Sequence, residues 1–192
     1  MTTFKALESS KEEDQNTLSI IEKNIDNLPD GDILIKVSYS SLNYKDALSA
    51  TGSPGVTKNY PHTPGIDAVG QVQESSDSAF KEGDEVIVTG YDLGMNTAGG
   101  FGQYIRVPAH WVIKLPNGLN EIDAMSLGTA GLTAGLSIQA LEKYSSTTGF
   151  EGSKSIVTGS TGGVGSIAVM LLSKLGSEVT AVTGKNLSLI HI

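Results

Sequence analysis

Residues 158–165 read Thr-Gly-Ser-Thr-Gly-Gly-Val-Gly, and this glycine-rich stretch decides the fold of the chain around it. The segment from Ser155 to Thr158 leads into it and predicts a strand, and Gly163 to Leu175 follows as a predicted helix. Gly176 stands where a glycine ends a helix, and Glu178 to Thr183 predicts a second strand. Strand, helix and strand within about 30 residues form a βαβ unit, so the stretch is predicted to join a parallel strand to its crossover helix.

The same stretch has the features of a dinucleotide-binding turn. It aims the free amides of a helix start, and the positive end of the helix dipole, at an anion. Glycines let a pyrophosphate approach the backbone, and Gly165 lets the helix pack closely. Ser160 replaces the first glycine of the G-x-G-x-x-G pattern, which is tolerable only if its backbone avoids positive φ. The cofactor-binding residues that the turn predicts, unless it is a structural turn that binds nothing, are Thr161, Gly162, Gly163 and Val164.

The end of the second predicted strand selects the nucleotide. NAD-binding units place an acidic residue there to hold the ribose 2′-hydroxyl. This chain instead has Val182 followed by Thr183, Gly184 and Lys185. A hydroxyl and a cation suit a 2′-phosphate through charge-assisted hydrogen bonds, so these residues predict NADPH. The alternative for Lys185 is a solvated surface lysine.

The chain before residue 119 is predicted to be rich in strands. Ile33, Ile35, Val37 and Tyr39 alternate with their neighbours in the period of a half-buried strand. Short strands also fit residues 66–72, 85–89, 103–107 and 112–115, and glycine and proline between them suggest a barrel-like domain. Two helices are then predicted, one capped by Asn120 and one from about Thr129 to Tyr144.

Composition excludes several classes of protein. The chain has 192 residues and a net charge of -8, which argues against nucleic acid or an anionic membrane as a partner. It has no cysteine, so a disulfide scaffold, a thiolate nucleophile and a cysteine-bound zinc are excluded. The N-terminus lacks the apolar run of a secretory signal, and a cytoplasmic protein is the expectation.

Four blocks in order carry a family resemblance. They are Ser-Leu-Asn-Tyr-Lys-Asp-Ala-Leu (41–48), Pro-Gly-Ile-Asp-Ala-Val-Gly (64–70), Gly-Thr-Ala-Gly-Leu-Thr-Ala (128–134) and the glycine-rich stretch. The set resembles the medium-chain dehydrogenases/reductases, in the zinc-free, quinone-oxidoreductase-like branch and closest to the acrylyl-CoA reductases. The resemblance implies an α/β protein with a GroES-like β-rich domain over residues 1–119, followed by an incomplete Rossmann domain over residues 120–185.

Residues 186–192 are expected to be a foreign tail on a truncated reading frame. Leu187 to Ile192 matches the translation of a common sequencing-adapter stretch. The alternative is a genuine short variant. As a fragment, the chain is expected to fold poorly and to be inactive.

The resemblance also implies that no metal is bound. Zinc-containing relatives have a cysteine near the position of Asn43 and a Gly-His-Glu motif where this chain has Gly65-Ile66-Asp67. Zinc needs three or four nitrogen, sulfur or carboxylate ligands close together, which these residues do not supply. His62 and His110 are expected to be ordinary polar residues.

Hydride transfer without a metal requires an electrophilic carbon. The resemblance implies NADPH-dependent reduction of an α,β-unsaturated acyl thioester, acrylyl-CoA to propanoyl-CoA, with hydride added at the β-carbon and a proton at the α-carbon. It places Tyr44 beside the nicotinamide, as a cofactor-binding and catalytic residue that relays the proton or binds the cofactor. Asn43 is the second catalytic candidate and orients Tyr44 or the substrate carbonyl. Both residues have a structural alternative, and Asp46 and Lys45 are each expected to be scaffold or surface residues.

Other readings of the sequence stay open. The runners-up are an NADPH:quinone oxidoreductase and a non-catalytic NADPH-binding relative. Thr129 and Thr133 line the active-site wall in relatives, but they also suit a packed helix. The expected partners are a small-molecule enoyl-CoA or quinone, with no nucleic acid or membrane, and a homodimer at full length.

Overall fold

The computed structural model describes residues 2–12, 15–144 and 149–184. The chain divides into two compact units, Met1–Thr129 and Ala130–Ile192. The first unit is built on antiparallel strands and the second on parallel strands joined by a helix. The predicted order, a β-rich region before a βαβ unit, is therefore confirmed.

The helices and strands follow in chain order. Those that begin in the first unit are β1 (Thr3–Glu12), β2 (Gln15–Asn24), β3 (Ile33–Tyr39), α1 (Tyr44–Ala50), β4 (Asp67–Ser75), β5 (Glu85–Thr89), β6 (Tyr104–Val107), β7 (Val112–Lys114) and α2 (Glu121–Tyr144). The second unit adds β8 (Lys154–Thr158), α3 (Gly163–Lys174) and β9 (Glu178–Val182). Short 3-10 turns cover Ile25–Asn27 and Ala109–Trp111.

The first unit is organised around a five-stranded antiparallel sheet in the order β6-β3-β4-β5-β7. All five of its strands were predicted. The majority of the strand ends lie within one or two residues of the predicted positions. One face buries apolar residues such as Ile33, Ile35 and Val72 in the main core cluster. Leu34, which the alternation assigned to the open face of β3, is only 2% exposed, because both faces of the strand are covered there.

The hairpin β1–β2 is not among the predicted elements. Its ten paired positions run from Thr3 opposite Asn24 to Glu12 opposite Gln15. The first strand buries Phe4 and Ala6 and bonds to the body through Leu7, whose amide donates to the carbonyl of Phe101. Only Phe4, Ala6 and Ser9 of the described residues of β1 are buried, so the strand carries a weak apolar pattern.

The helix α2 contains both predicted helices, with a break between them. Gly128 has φ of 48° and ψ of -153°, which is not helical. Before the break, Ala124 and Met125 pack with Val69 and Ile87 in a second core cluster. These contacts explain why the first unit extends to Thr129. The domain limits inferred from the sequence, 1–119 and 120–185, stay a prediction.

The second unit has the predicted βαβ form. β8 and β9 pair in parallel from Lys154 opposite Glu178 to Thr158 opposite Val182. Gly176 follows α3 with φ of 87°, as expected for a glycine that ends a helix. Across the described ranges, no helix is long and apolar enough to cross a membrane.

Candidate functional site

The glycine turn, residues 158–165, is anchored to the end of β9. Gly159 has φ of 62°, a conformation that favours glycine. Ser160 does not have a positive φ, so the condition for replacing the first glycine of the pattern is met. Its amide and its hydroxyl both donate to the carbonyl oxygen of Val182, each at 3.1 Å. Ser160 thus fixes the turn against the next strand.

The remaining glycines shape the start of α3. A Cβ on Gly165 would lie 2.8 Å from the carbonyl carbon of Gly159 and from Cα of Ser160, so only glycine fits. The start of α3 therefore packs closely at Gly165. It packs against the glycine turn, whereas the sequence led us to expect the strand as its neighbour. A Cβ on Gly163 would lie 3.2 Å from Cβ of Ala130. The amides of the first helical turn have no acceptor within the helix, and they carry roughly half a positive charge through the helix dipole. This end of α3 therefore suits an anion.

Two of the predicted cofactor-binding residues meet at this end of the sheet. The hydroxyl oxygens of Thr161 and Thr183 lie 3.1 Å apart. Thr161, Gly162, Gly163 and Val164 are all exposed. Gly184 is exposed too, with open space around the position of a Cβ. Lys185 lies outside the described residues.

In the first unit, the two catalytic candidates stand at the start of α1. Asn43 is the N-cap and Tyr44 the first helical residue, 81% exposed. Asn43 and Asp46 form a capping box, in which Asp46 Oδ2 accepts the amide of Asn43 at 2.8 Å. The other oxygen of Asp46 accepts the amide of Ile66 at 2.9 Å, and burial raises the pKa of this carboxyl. Asp46 therefore ties α1 to the loop before β4, the scaffold role expected for it.

A buried carboxylate that the sequence analysis did not single out lies beneath Asn43. Asp67 begins β4 and is fully buried. Its Oδ2 accepts from Nδ2 of Asn43 and from the amide of Thr129, both at 2.9 Å. Its Oδ1 accepts the hydroxyl of Thr129 at 2.7 Å. We call these three residues the Asp67 junction.

A sequence signal for Asp67 was available. A charged residue stands between Ile66 and the apolar run Ala68-Val69, where burial without partners is expensive. In the sequence alone, Gly65-Ile66-Asp67 indicates only that the metal ligands of the zinc-containing relatives are missing. Thr129, read as a wall or packing residue, belongs to the junction. Thr133 lies on an exposed part of α2.

Two of the histidines, His62 and His110, lie in the described part of the chain and have different environments. His62 is buried, and burial lowers its pKa. His110 is exposed and contacts the rings of Tyr91 and Trp111 edge to face. Over the described part of the chain, no three histidine, aspartate or glutamate side chains cluster in a way that could hold a metal ion.

Comparison with known proteins gives consistent matches. Residues 29–117 match the alcohol dehydrogenase GroES-like domain. The acrylyl-CoA reductase AcuI of Ruegeria pomeroyi is 42% identical over 184 residues, which are 95% of this chain and 55% of that protein. The chain thus spans about half the length of the curated relatives it matches.

Two solved structures are also similar. The yhdH oxidoreductase of Salmonella enterica, in complex with NADP, matches with a TM-score of 0.90 and 41% identity over 95% of this chain and 56% of that one. The Bacillus subtilis protein yhfP, with NAD bound, matches with a TM-score of 0.88 and 43% identity over 97% and 56%. That Bacillus protein is named as a quinone oxidoreductase, a provisional assignment.

Proposed function

The chain belongs to the zinc-free branch of the medium-chain dehydrogenases/reductases, with a GroES-like domain before a Rossmann-type βαβ unit, and we propose that the complete protein reduces an activated C=C bond with NADPH. The proposed substrate is an α,β-unsaturated acyl thioester, acrylyl-CoA first, and the product is propanoyl-CoA. The observation that carries the proposal is the glycine turn, which Ser160 anchors to Val182 at the start of α3.

The choice of NADPH rests on the end of β9. Overall similarity does not decide it, because the chain is 41% identical to a protein seen with NADP and 43% identical to one seen with NAD. Locally, Val182, Thr183 and Gly184 include no carboxylate for a ribose 2′-hydroxyl. We propose that the hydroxyl pair of Thr161 and Thr183, in which one O–H donates to the other, turns an O–H toward a 2′-phosphate and that Lys185 is the cation. Gly162, Gly163 and Val164 would hold the pyrophosphate.

The chain's own residues have limited chemistry to perform. NADPH, when bound, supplies the hydride for the β-carbon. Tyr44 is exposed and carries an O–H group that can bind the cofactor or pass a proton toward the α-carbon. Asn43 and Asp46 hold the helix turn on which Tyr44 stands. We therefore propose Tyr44 as the catalytic residue and Asn43 as its immediate support.

The experiment is an absorbance assay of NADPH oxidation by the complete polypeptide that contains residues 1–192. We expect oxidation with acrylyl-CoA. Oxidation with a small quinone alone would favour the quinone oxidoreductase. NADPH binding without turnover of either substrate would favour the non-catalytic relative. Tyr44→Phe, which keeps the ring and removes the O–H, is expected to lower kcat about 100-fold, as for the loss of a general acid.

We also propose that residues 1–192 alone turn over neither substrate. Over residues 130–144 and 149–184, the second unit has a sheet of two strands, β8 and β9, and small sheets need a covered apolar face for stability. Ile156 in the middle of β8 is 73% exposed, and Leu136 and Leu141 of α2 are exposed as well. The cytoplasmic location and a homodimer are proposals of the same kind, and size-exclusion chromatography of the complete protein tests the second.

A further inference from the structure

We propose that Asp67 is a positioning residue, which fixes Asn43 and, through it, the start of α1 that carries Tyr44. Its consequence for turnover rests on the proposed function, whereas its consequence for the conformation of Asn43 does not. No step of the proposed reaction assigns a role to this carboxylate.

Burial makes Asp67 an unusual choice for a purely structural position. A fully buried carboxylate loses its hydration, and an apolar residue of similar size stabilises a fold at least as well in many cases. Here the carboxylate is retained and satisfied by Asn43 and by two groups of Thr129. These donors come from two separate segments, the loop before α1 and the part of α2 after its break. Asp67 therefore connects three places in the chain.

The neighbouring backbone is shaped around the same group. Gly128 has φ of 48°, and a Cβ there would lie 2.7 Å from Oδ2 of Asp67 and 3.0 Å from Cβ of Ser41. The break in α2 thus brings its backbone directly onto the carboxylate. The hydroxyl of Ser41 donates to the carbonyl of Met125, which binds the loop before α1 to the same part of α2. A larger residue at position 128 would displace the junction.

The chemistry of the junction fixes the orientation of Asn43. The atom of the Asn43 amide that faces Asp67 is the nitrogen, which donates to Oδ2 at 2.9 Å. The amide oxygen is then turned away from Asp67, and the backbone carbonyl of Asn43 accepts the amide of Asp46 at 3.0 Å in the first turn of α1. If the amide were reversed, two oxygens would face each other in a buried site. Asp67 thereby holds Asn43 in the state that supports the first turn of α1 and Tyr44.

The test uses the complete polypeptide and separates positioning from acid–base chemistry. In Asp67→Asn, the new amide oxygen can accept from Asn43 and from the Thr129 amide, and the new nitrogen can donate to the Thr129 hydroxyl. We expect kcat within about threefold of the parent enzyme. Asp67→Ala leaves these donors unpaired, and we expect kcat to fall about 100-fold, as for a misplaced catalytic group, with the KM for NADPH nearly unchanged. If Asp67→Asn loses as much activity as Asp67→Ala, the carboxylate acts through its charge or proton and the proposal is wrong.

A reciprocal exchange guards against an unfolded Asp67→Ala variant. Asn43→Asp places two carboxylates against each other, and we expect kcat to fall at least about tenfold. Adding Asp67→Asn removes the repulsion between the two carboxylates and restores one donor and one acceptor in reversed order. Its amide nitrogen then also faces the backbone N–H of Thr129, so we expect kcat to recover only in part, by at least about threefold. Failure of the double variant to recover would overturn the proposal. Asp84→Asn is the control, because Asp84 is a partly exposed carboxylate of the same unit that pairs with Lys114 at 2.9 Å, outside the junction.

A second readout does not depend on turnover. With asparagine labelled by ¹⁵N, the side-chain NH₂ of Asn43 should show slow exchange with water in the parent and in Asp84→Asn, and fast exchange in Asp67→Ala. Slow exchange with no NADPH-dependent reductase activity would refute the proposed function and leave the role of Asp67 in place. Fast exchange in the parent would refute the junction itself.

Discussion

At the residue scale, the proposed preference for NADPH depends mainly on one side chain at the end of β9. Thr183 stands where an acidic residue would hold the ribose of NAD, and its hydroxyl lies 3.1 Å from that of Thr161 on the glycine turn. A carboxylate at this position would repel a 2′-phosphate and accept from a 2′-hydroxyl. The preference for one nucleotide should therefore respond to a single substitution.

Thr183→Asp is expected to weaken NADPH binding about 10–100-fold, the equivalent of one charge-assisted hydrogen bond, and to strengthen NADH binding. Fluorescence titration of the complete protein with both nucleotides measures the change. Thr180→Asp adds the same charge at an exposed position of the same strand and should leave the preference unaltered. An unchanged preference in Thr183→Asp would remove Thr183 from the site.

His62 gives a prediction about pH at the same scale. The side chain is 5% exposed, and its Nε2 has no hydrogen-bond partner among the described residues. Burial lowers its pKa in the folded protein below the ordinary value of 6.5. The unfolded chain therefore binds the proton more readily, so the stability that neutral His62 provides is present above pH ~6.5 and is lost as the pH falls toward the folded pKa.

Replacing His62 should flatten this dependence. His62→Asn retains a donor and does not titrate, and we expect its melting temperature to fall less than that of the parent between pH 7 and pH 5. Differential scanning calorimetry at several pH values makes the comparison, with His110→Asn at an exposed position as the control. Equal pH dependence in parent and His62→Asn would show that His62 does not titrate in this range.

The residues of the glycine turn could be read from the sequence because local backbone chemistry specifies them. Thr161, Gly162 and Thr183 follow from a strand, a turn and a helix that are adjacent in the chain. Asp67 could not be read in the same way, because its partners Asn43 and Thr129 are distant in sequence and only the fold brings them to it. The carboxylate in an apolar strand indicated that partners exist, without identifying them.

At the scale of elements, the contact between α3 and the turn before it holds the nucleotide site in shape. Gly165→Ala would place a methyl group 2.8 Å from backbone atoms of Gly159 and Ser160, which cannot move as a side-chain end can. We expect the free energy of unfolding to fall by about 1–3 kcal/mol, as for overpacking, and NADPH affinity to fall with it. Thermal unfolding and nucleotide titration measure both effects.

The matched control for this substitution is Gly135→Ala. Gly135 lies in α2 of the same unit, and a Cβ there would meet nothing within 4 Å. Replacing a helical glycine by alanine is expected to stabilise the unit by up to about 1 kcal/mol. If both substitutions had the same effect, the close packing at Gly165 would not be a constraint.

Elements were predictable where their pattern is local. The central strands β3, β4 and β5 were found because apolar residues alternate or cluster between turns. The hairpin β1–β2 was not, since its second strand is mostly exposed and its long pairing depends on contacts of β1 with residues 101–103. The break at Gly128 falls between the two helices that the sequence predicts. Its cause, the space that Asp67 needs, lies in another part of the fold.

At the scale of the whole molecule, the two units carry different parts of the proposed function. In the first unit, Asp46 and Asp67 both bond to Asn43 at the start of the helix that carries Tyr44, and the second unit presents the anchored turn and the threonine pair. Each set of residues can be tested without the other. Variants of the junction should change turnover and spare nucleotide affinity, whereas variants of the turn should change affinity first.

The most direct test of the central claim is the ratio of the dissociation constants for NADH and NADPH, measured by calorimetric titration of the complete protein. The donors at Thr161 and Thr183, with Lys185, predict that NADPH binds at least about tenfold more tightly, since one charge-assisted hydrogen bond to the 2′-phosphate contributes that much. Equal affinities, or tighter binding of NADH, would contradict the account.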